Sequence, residues 1–180
     1  PEVLKGLVLL DPSDPDGRGA GFPVDGPALD QLIDARMAAR RAQLEKGRDA
    51  VGLSGAPAEL MRALDADMRA APEARLRGSM RSMFSLNLGA RVKALPMPVL
   101  VACGDADATI PLASMLATWA KYPQGTGLHI WHGAGHSPNL DRPEELAGLL
   151  AQFIETTIPT AGPRLSDERV VNFHVSGRRI

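Results

Sequence analysis

The chain holds a single cysteine, Cys103. One thiol excludes an intrachain disulfide and offers no zinc-ligand spacing. An excess of charge of either sign is missing too. Lys and Arg number 20 against 21 Asp and Glu over 180 residues, a formal net charge of −1. Nucleic-acid binders need a basic surplus on one face, so this balance argues against a general polyanion partner. No apolar run approaches the roughly 20 residues of a membrane-spanning helix. No basic-then-apolar leader opens the chain. The sequence is therefore read as cytoplasmic, with no nucleic-acid and no membrane partner. Phosphate-loop and dinucleotide glycine fingerprints are absent, so no cofactor is expected. His129 and His132 stand three apart, and on a strand that spacing turns them to opposite faces, so no metal site is expected.

What is present is ordinary globular material. With 44% hydrophobic and 23% charged residues, the chain fits one domain or a large part of one. Val3 to Leu10 is a short apolar run of the kind buried on both faces of a parallel sheet. Dense turn chemistry, Asp11-Pro12-Ser13-Asp14-Pro15-Asp16-Gly17, ends it. Three helical patterns follow. The first runs from Pro27 to Lys46, with Leu29, Leu32, Ile33, Met37 and Leu44 near a helical period and Asp25 as N-cap. The second spans Pro57 to Ala71, with Leu60, Met61, Leu64 and Met68 on one face. The third spans Pro72 to Leu88, with Leu76, Met80, Met83 and Phe84 aligned.

Strand character returns at Val99-Leu100-Val101-Ala102 and again at Leu128-His129-Ile130-Trp131. A helix over Pro111 to Lys121 lies between them. An amphipathic helix over Pro143 to Thr157 follows, and Glu144 and Glu145 suit its positive N-terminal end. The order strand, helical insert, strand, helix, strand, helix predicts an α/β fold with a parallel sheet. The expected division is a core of residues 1–19 and 89–158, an inserted helical cap of residues 20–88 and a tail of residues 159–180. In the tail, Val170 to Val175 holds β-formers with irregular alternation. An added edge strand, a partner-contact segment and a disordered tail all fit it.

In a doubly wound sheet, functional groups gather past the carboxyl ends of the strands. Two turns obey that rule: Gly104-Asp105-Ala106-Asp107-Ala108-Thr109-Ile110-Pro111 and Gly133-Ala134-Gly135-His136-Ser137-Pro138. A carboxylate from one and the imidazole from the other can meet above the sheet. The carboxylate would fix the imidazole tautomer, and the imidazole would act as general base and then general acid. Met37, Met80, Met83 and Phe84 form an adaptable apolar set in the cap, able to line a substrate pocket or simply to pack.

These segments together resemble the α/β-hydrolase family. Pro1 to Pro12, with Gly6-Leu7-Val8-Leu9-Leu10-Asp11-Pro12, is similar to the family's sixth strand. Pro98 to Pro111 resembles the seventh strand with its acid turn. His129 to Glu145 resembles the eighth strand, the histidine loop and the start of the last helix. The likeness covers about residues 1–158 and implies a partial α/β-hydrolase fold with an inserted cap. It implies Asp107, three positions after the turn glycine, as the acid and His136 as the base. Asp105, Asp11 and Asp14 are then turn residues, although some family members carry the acid after the sixth strand.

The resemblance also exposes a gap. The family nucleophile sits on a strand–turn–helix elbow of G-x-S-x-G type, and no such motif occurs in the chain. Gly52-Leu53-Ser54-Gly55-Ala56 lacks the final glycine, and no strand pattern precedes it. Cys103, at the end of an apolar strand, reads as a small core residue. A strand that opens at residue 7 has nothing before it to pair with, so the expectation is a nucleophile upstream of Pro1. The implied activity is hydrolysis of small apolar esters or related bonds. The implied partners are a small-molecule substrate and either a missing N-terminal half or a second copy of the chain. Two alternatives stand beside it. One is a truncated, non-catalytic remnant that serves as a binding module. The other is a dehalogenase, lyase, transferase or cofactor-free oxygenase on the same fold.

Overall fold

A strand that is apolar at every position needs cover on both faces, and the sheet meets that need. The computed structural model describes residues 4–17, 26–46, 57–157 and 173–176. Among them, strands β1 (Leu7–Leu10), β2 (Val99–Gly104), β3 (Gly127–Trp131) and β4 (Phe173–Ser176) form one sheet in the order β1-β2-β3-β4. Every pairing is parallel, with Leu7 beside Val99 and Leu100 beside Gly127. The helices are α1 (Gly26–Lys46), α2 (Ala58–Ala70), α3 (Glu73–Phe84), α4 (Gly89–Lys93), α5 (Leu112–Trp119), α6 (Pro138–Asp141) and α7 (Pro143–Thr157). Helices α1 to α4 lie between β1 and β2 in the chain.

All of β2 is buried, and its residues alternate between two layers. Val99, Val101 and Cys103 pack with Met115 of α5, Tyr122 and Leu128. Ala102 packs with Trp131, Ala134 and Leu146 of α7 on the opposite side. The sheet is thus held between α5 and α7, and the turns that follow β1, β2 and β3 emerge at one end of it. Prolines mark the helix starts: Pro57, Pro72 and Pro111 precede α2, α3 and α5, and Pro138 and Pro143 open α6 and α7. Proline suits these places because the first N–H groups of a helix have no intrahelical partner.

Helices α1 and α3 bury their apolar stripes against each other. Leu29, Ile33, Met37 and Phe84 form the centre, and Leu32, Leu76, Met80 and Met83 surround it. Ion pairs rim the contact: Arg77 with Asp34 at 2.6 Å, Arg41 with Glu73 at 3.5 Å, and Arg81 with Asp30. Such exposed pairs add little, typically about 0.2–1 kcal/mol each, so the apolar stripe is what holds the helices together.

The third helix stops at Phe84, four residues earlier than its sequence pattern predicts. Its continuation is captured by the loop after β1. The Leu88 N–H donates to the Pro15 carbonyl at 2.7 Å, and the Gly89 N–H donates to Asp16 Oδ1 at 2.7 Å. Those long-range partners replace the bonds that another helical turn would make. The short helices α4 and α6 have too few residues to show a period in the sequence. In the tail, β4 lies as a parallel edge strand beside β3. Asp25, Ser54 and the tail segments 158–172 and 177–180 lie outside the described residues.

Candidate active site

The strands deliver two acidic turns, after β1 and β2, and a histidine-bearing loop, after β3, to the same end of the sheet. Asp107 follows β2 in an Asx-turn: its Oδ1 accepts the N–H groups of Thr109 at 2.6 Å and Ile110 at 3.0 Å. That leaves Oδ2, which meets His136 Nδ1 at 2.8 Å. The Asp107 side chain is fully buried and the His136 ring is one-third exposed, 0% against 33%. An ionised carboxylate only accepts, so Nδ1 carries the proton and Nε2 is left as the basic nitrogen. The pair is oriented from below and open from above.

Two further carboxylates brace the histidine loop. Asp105 Oδ1 accepts the Gly133 N–H at 2.7 Å, and Oδ2 lies 2.7 Å from His132 Nδ1. Burial pushes the Asp105 carboxyl up, but the His132 and Gly133 hydrogen bonds outweigh it and hold the group below its ordinary value. Asp141, at the end of α6, accepts the Gly135 N–H through Oδ2 at 3.2 Å. Backbone bonds tie the two turns directly. The Asp105 N–H donates to the Trp131 carbonyl and the Ala106 N–H to the Ala134 carbonyl, both at 3.1 Å.

Asp11 is more than a turn residue. It ends β1 with φ at 42° and is buried, only 7% exposed. Oδ1 accepts the Gly104 N–H at 3.4 Å. Oδ2 is buried with no hydrogen-bond partner among the described residues. Burial, then the negative charges of Asp107 and Asp141, push the Asp11 carboxyl up to about 7, against the pull of His136 and the Gly104 N–H. The rule that marked Asp107, a polar residue at the carboxyl end of an apolar strand, marks Asp11 equally. Asp14 stands apart: it accepts the Asp16 N–H at 2.9 Å and pairs with Lys121 at 2.6 Å.

Cys103 is 1% exposed, and burial followed by the charges of Asp11, Asp107 and Asp105 pushes its thiol up to about 12. A thiol held protonated is a poor nucleophile. His129 is buried and packs edge-on against Trp131, whereas His132 is exposed, so the two imidazoles do not converge.

A cavity of about 380 Å³ opens between the inserted helices and the acid turn. Its walls include Ser13 and Asp14 after β1, Met83 and Phe84 of α3, Thr109 and Ile110, and Ser114 and Thr118 of α5. Two of the four candidate pocket residues, Met83 and Phe84, reach it. Met37 and Met80 do not; they lie on the stripes that α1 and α3 bury against each other. Asp107 and His136 adjoin the cavity through the Thr109–Ile110 turn without lining it. Among the described residues, no helix is long and apolar enough to cross a membrane.

The fold has counterparts among solved structures. An esterase from Exiguobacterium antarcticum superimposes with a TM-score of 0.66 at 18% identity, over 84% of this chain and 57% of that one. A thermophilic esterase from Thermogutta terrifontis gives a TM-score of 0.61 at 20% identity, over 86% and 57%. A bromoperoxidase from Bacillus anthracis gives 0.61 at 20%, over 84% and 58%. The chain therefore spans under two thirds of the length of these solved structures, and at such identities the likeness is one of fold. Comparison with curated proteins gave no match. The family pattern described as "Alpha/beta hydrolase family" matches residues 2–149. With that match over most of its length, on a parallel sheet flanked by helices, the chain belongs to the alpha/beta hydrolase family.

Proposed function

We propose that Asp107 and His136 are the acid and the general base of a nucleophile–histidine–acid hydrolase that cleaves small apolar esters or related bonds. The nucleophile, a serine for ester substrates, comes from sequence N-terminal to Pro1. The observation that carries this reading is the 2.8 Å contact between His136 Nδ1 and the buried, doubly anchored Asp107. That contact leaves Nε2 free to take the nucleophile's proton as it attacks the ester carbonyl. The imidazolium then protonates the departing alcohol, and a covalent acyl intermediate remains. His136 next deprotonates water, which attacks the acyl carbon; the imidazolium then returns that proton to the nucleophile's oxygen as the acyl bond breaks and the acid product leaves. Asp107 stabilises the imidazolium at each stage without itself taking the proton.

The cavity supports a small substrate. Its volume of about 380 Å³ sits near the lower end of ligand sites, roughly 300–1,000 Å³. Met83, Phe84 and Ile110 give it apolar walls, and Ser13 and Thr109 add hydroxyls. Labelling with a fluorophosphonate probe tests the reading. The 180-residue chain alone is expected to stay unlabelled, and a protein that also carries the upstream elbow is expected to label at the elbow serine, more slowly after His136→Ala. Labelling of Ser54 in the 180-residue chain would contradict it.

A further inference from the structure

Asp11, Asp107 and His136 each place one ligand atom within 4.8 Å of the others. We propose that these three side chains form a binding site for a divalent metal ion of the zinc class, and that an ion there competes with the His136–Asp107 hydrogen bond. The inference is independent of the hydrolase reading, since it concerns what the cluster binds rather than what it catalyses.

Three observations carry it. The ligand types are two carboxylates and one imidazole, a set that zinc accepts as three protein ligands with one open position. Both carboxylates are buried, Asp11 at 7% and Asp107 at 4% exposure, while His136 keeps the site open to solvent. Asp11 Oδ2 is buried without a hydrogen-bond partner among the described residues. A buried acceptor normally has a donor or a cation to satisfy it, and Asp11 is one of the three residues of the cluster.

Zinc is favoured over the hard cations. Calcium takes 6–8 oxygen ligands and magnesium an octahedron of oxygens with several waters; three residues, one of them an imidazole, suit neither. Tetrahedral zinc with bonds near 2.0–2.1 Å puts its ligands about 3.3 Å apart. The Asp107–His136 edge lies at 2.8 Å and would open by about half an ångström as the ion displaces the Nδ1 proton, and all three ligand atoms already lie within 4.8 Å of one another. An ion that holds the imidazole would remove it from general-base duty, making the site inhibitory in a complete enzyme.

Isothermal titration of the full 180-residue chain with Zn²⁺, and separately with Mg²⁺, tests the proposal. The expected result is one saturable Zn²⁺ per chain and no Mg²⁺ binding. Asp11→Asn, which keeps the side-chain shape, is expected to weaken Zn²⁺ binding tenfold or more. His132→Ala, which removes the exposed imidazole beside Asp105, is expected to leave it unchanged. X-ray absorption of the Zn²⁺-loaded wild-type chain should show imidazole and oxygen ligands without sulfur, and it needs no variant to fold. No saturable binding, a loss of less than tenfold in a folded Asp11→Asn, or a sulfur ligand would each overturn the site. None of those results bears on the esterase reading, which fails instead if fluorophosphonate labelling does not depend on His136.

Discussion

The Gly104 backbone runs directly beneath the Ala134 carbonyl, and a Cβ built on Gly104 would fall inside contact distance of the Ala134 and Gly135 carbonyl oxygens. At Gly104 the end of β2 and the histidine loop therefore meet main chain against main chain. Those are the two segments that carry Asp107 and His136. Gly104→Ala must push the turns apart, because backbone cannot rotate away as a side chain can. Overpacking of this kind costs about 1–3 kcal/mol. The expected outcome is a lower denaturation midpoint and a weakened His136–Asp107 contact, read by urea melts and imidazole NMR. An unchanged midpoint and imidazole spectrum would contradict the close approach.

Asp105 is predicted to matter through loop position. Its carboxylate satisfies the Gly133 N–H and pairs with His132. Asp105→Ala removes that acceptor, and the loss of a charged hydrogen-bond partner costs about 1.5–3 kcal/mol when buried and less at this partly exposed site. Stability should fall by about 1 kcal/mol in urea melts. The Gly133 amide should exchange with solvent faster than in the wild-type chain.

Asp11 predicts a pH effect with a defined sign. Its carboxyl lies at about 7 in the folded chain against an ordinary 3.8. Below about pH 4 both states hold the proton and the group contributes nothing. Between those values the folded chain retains a proton that the unfolded chain releases, so stability falls as pH rises, and the penalty is complete above about 7. Asp11→Asn should therefore match the wild type near pH 4 and exceed it at pH 8 in thermal melts run with a chelator. A difference independent of pH would contradict the assignment.

Phe84 joins two roles, since it fills the centre of the α1–α3 contact and also faces the cavity. Phe84→Ala is expected to cost about 3–5 kcal/mol, as truncation of a buried aromatic side chain does. Met83→Ala removes a cavity wall from a half-buried position, so it should cost less than Phe84→Ala. Urea melts of the two variants check the order.

Much of the fold was legible because its signals are local. Continuous apolar runs marked β1, β2 and β3, and prolines marked the helix starts. The meeting of Asp107 with His136 was legible because each follows its own strand. The burial of Asp11 was not legible because turn chemistry surrounds it, Asp-Pro-Ser-Asp-Pro-Asp-Gly, and that pattern explains an aspartate without burial. Only the parallel pairing of β1 with β2 brings Asp11 beside Gly104 and within 4.8 Å of a ligand atom of His136. The end of α3 was illegible for a similar reason: the groups that stop it, Pro15 and Asp16, lie about 70 residues earlier in the chain. Met37 and Met80 share a helical period with Met83 and Phe84, and periodicity alone does not separate a residue facing a helix from one facing a cavity.

The pairing of Asp107 with His136 as acid and base is tested most directly by turnover. Hydrolysis of a short-chain p-nitrophenyl ester would be followed in a protein that joins residues 1–180 to the upstream nucleophile elbow. The wild-type sequence should turn over, with His136→Ala and Asp107→Asn each reducing kcat by about 10³-fold or more. Normal turnover in His136→Ala would contradict the account.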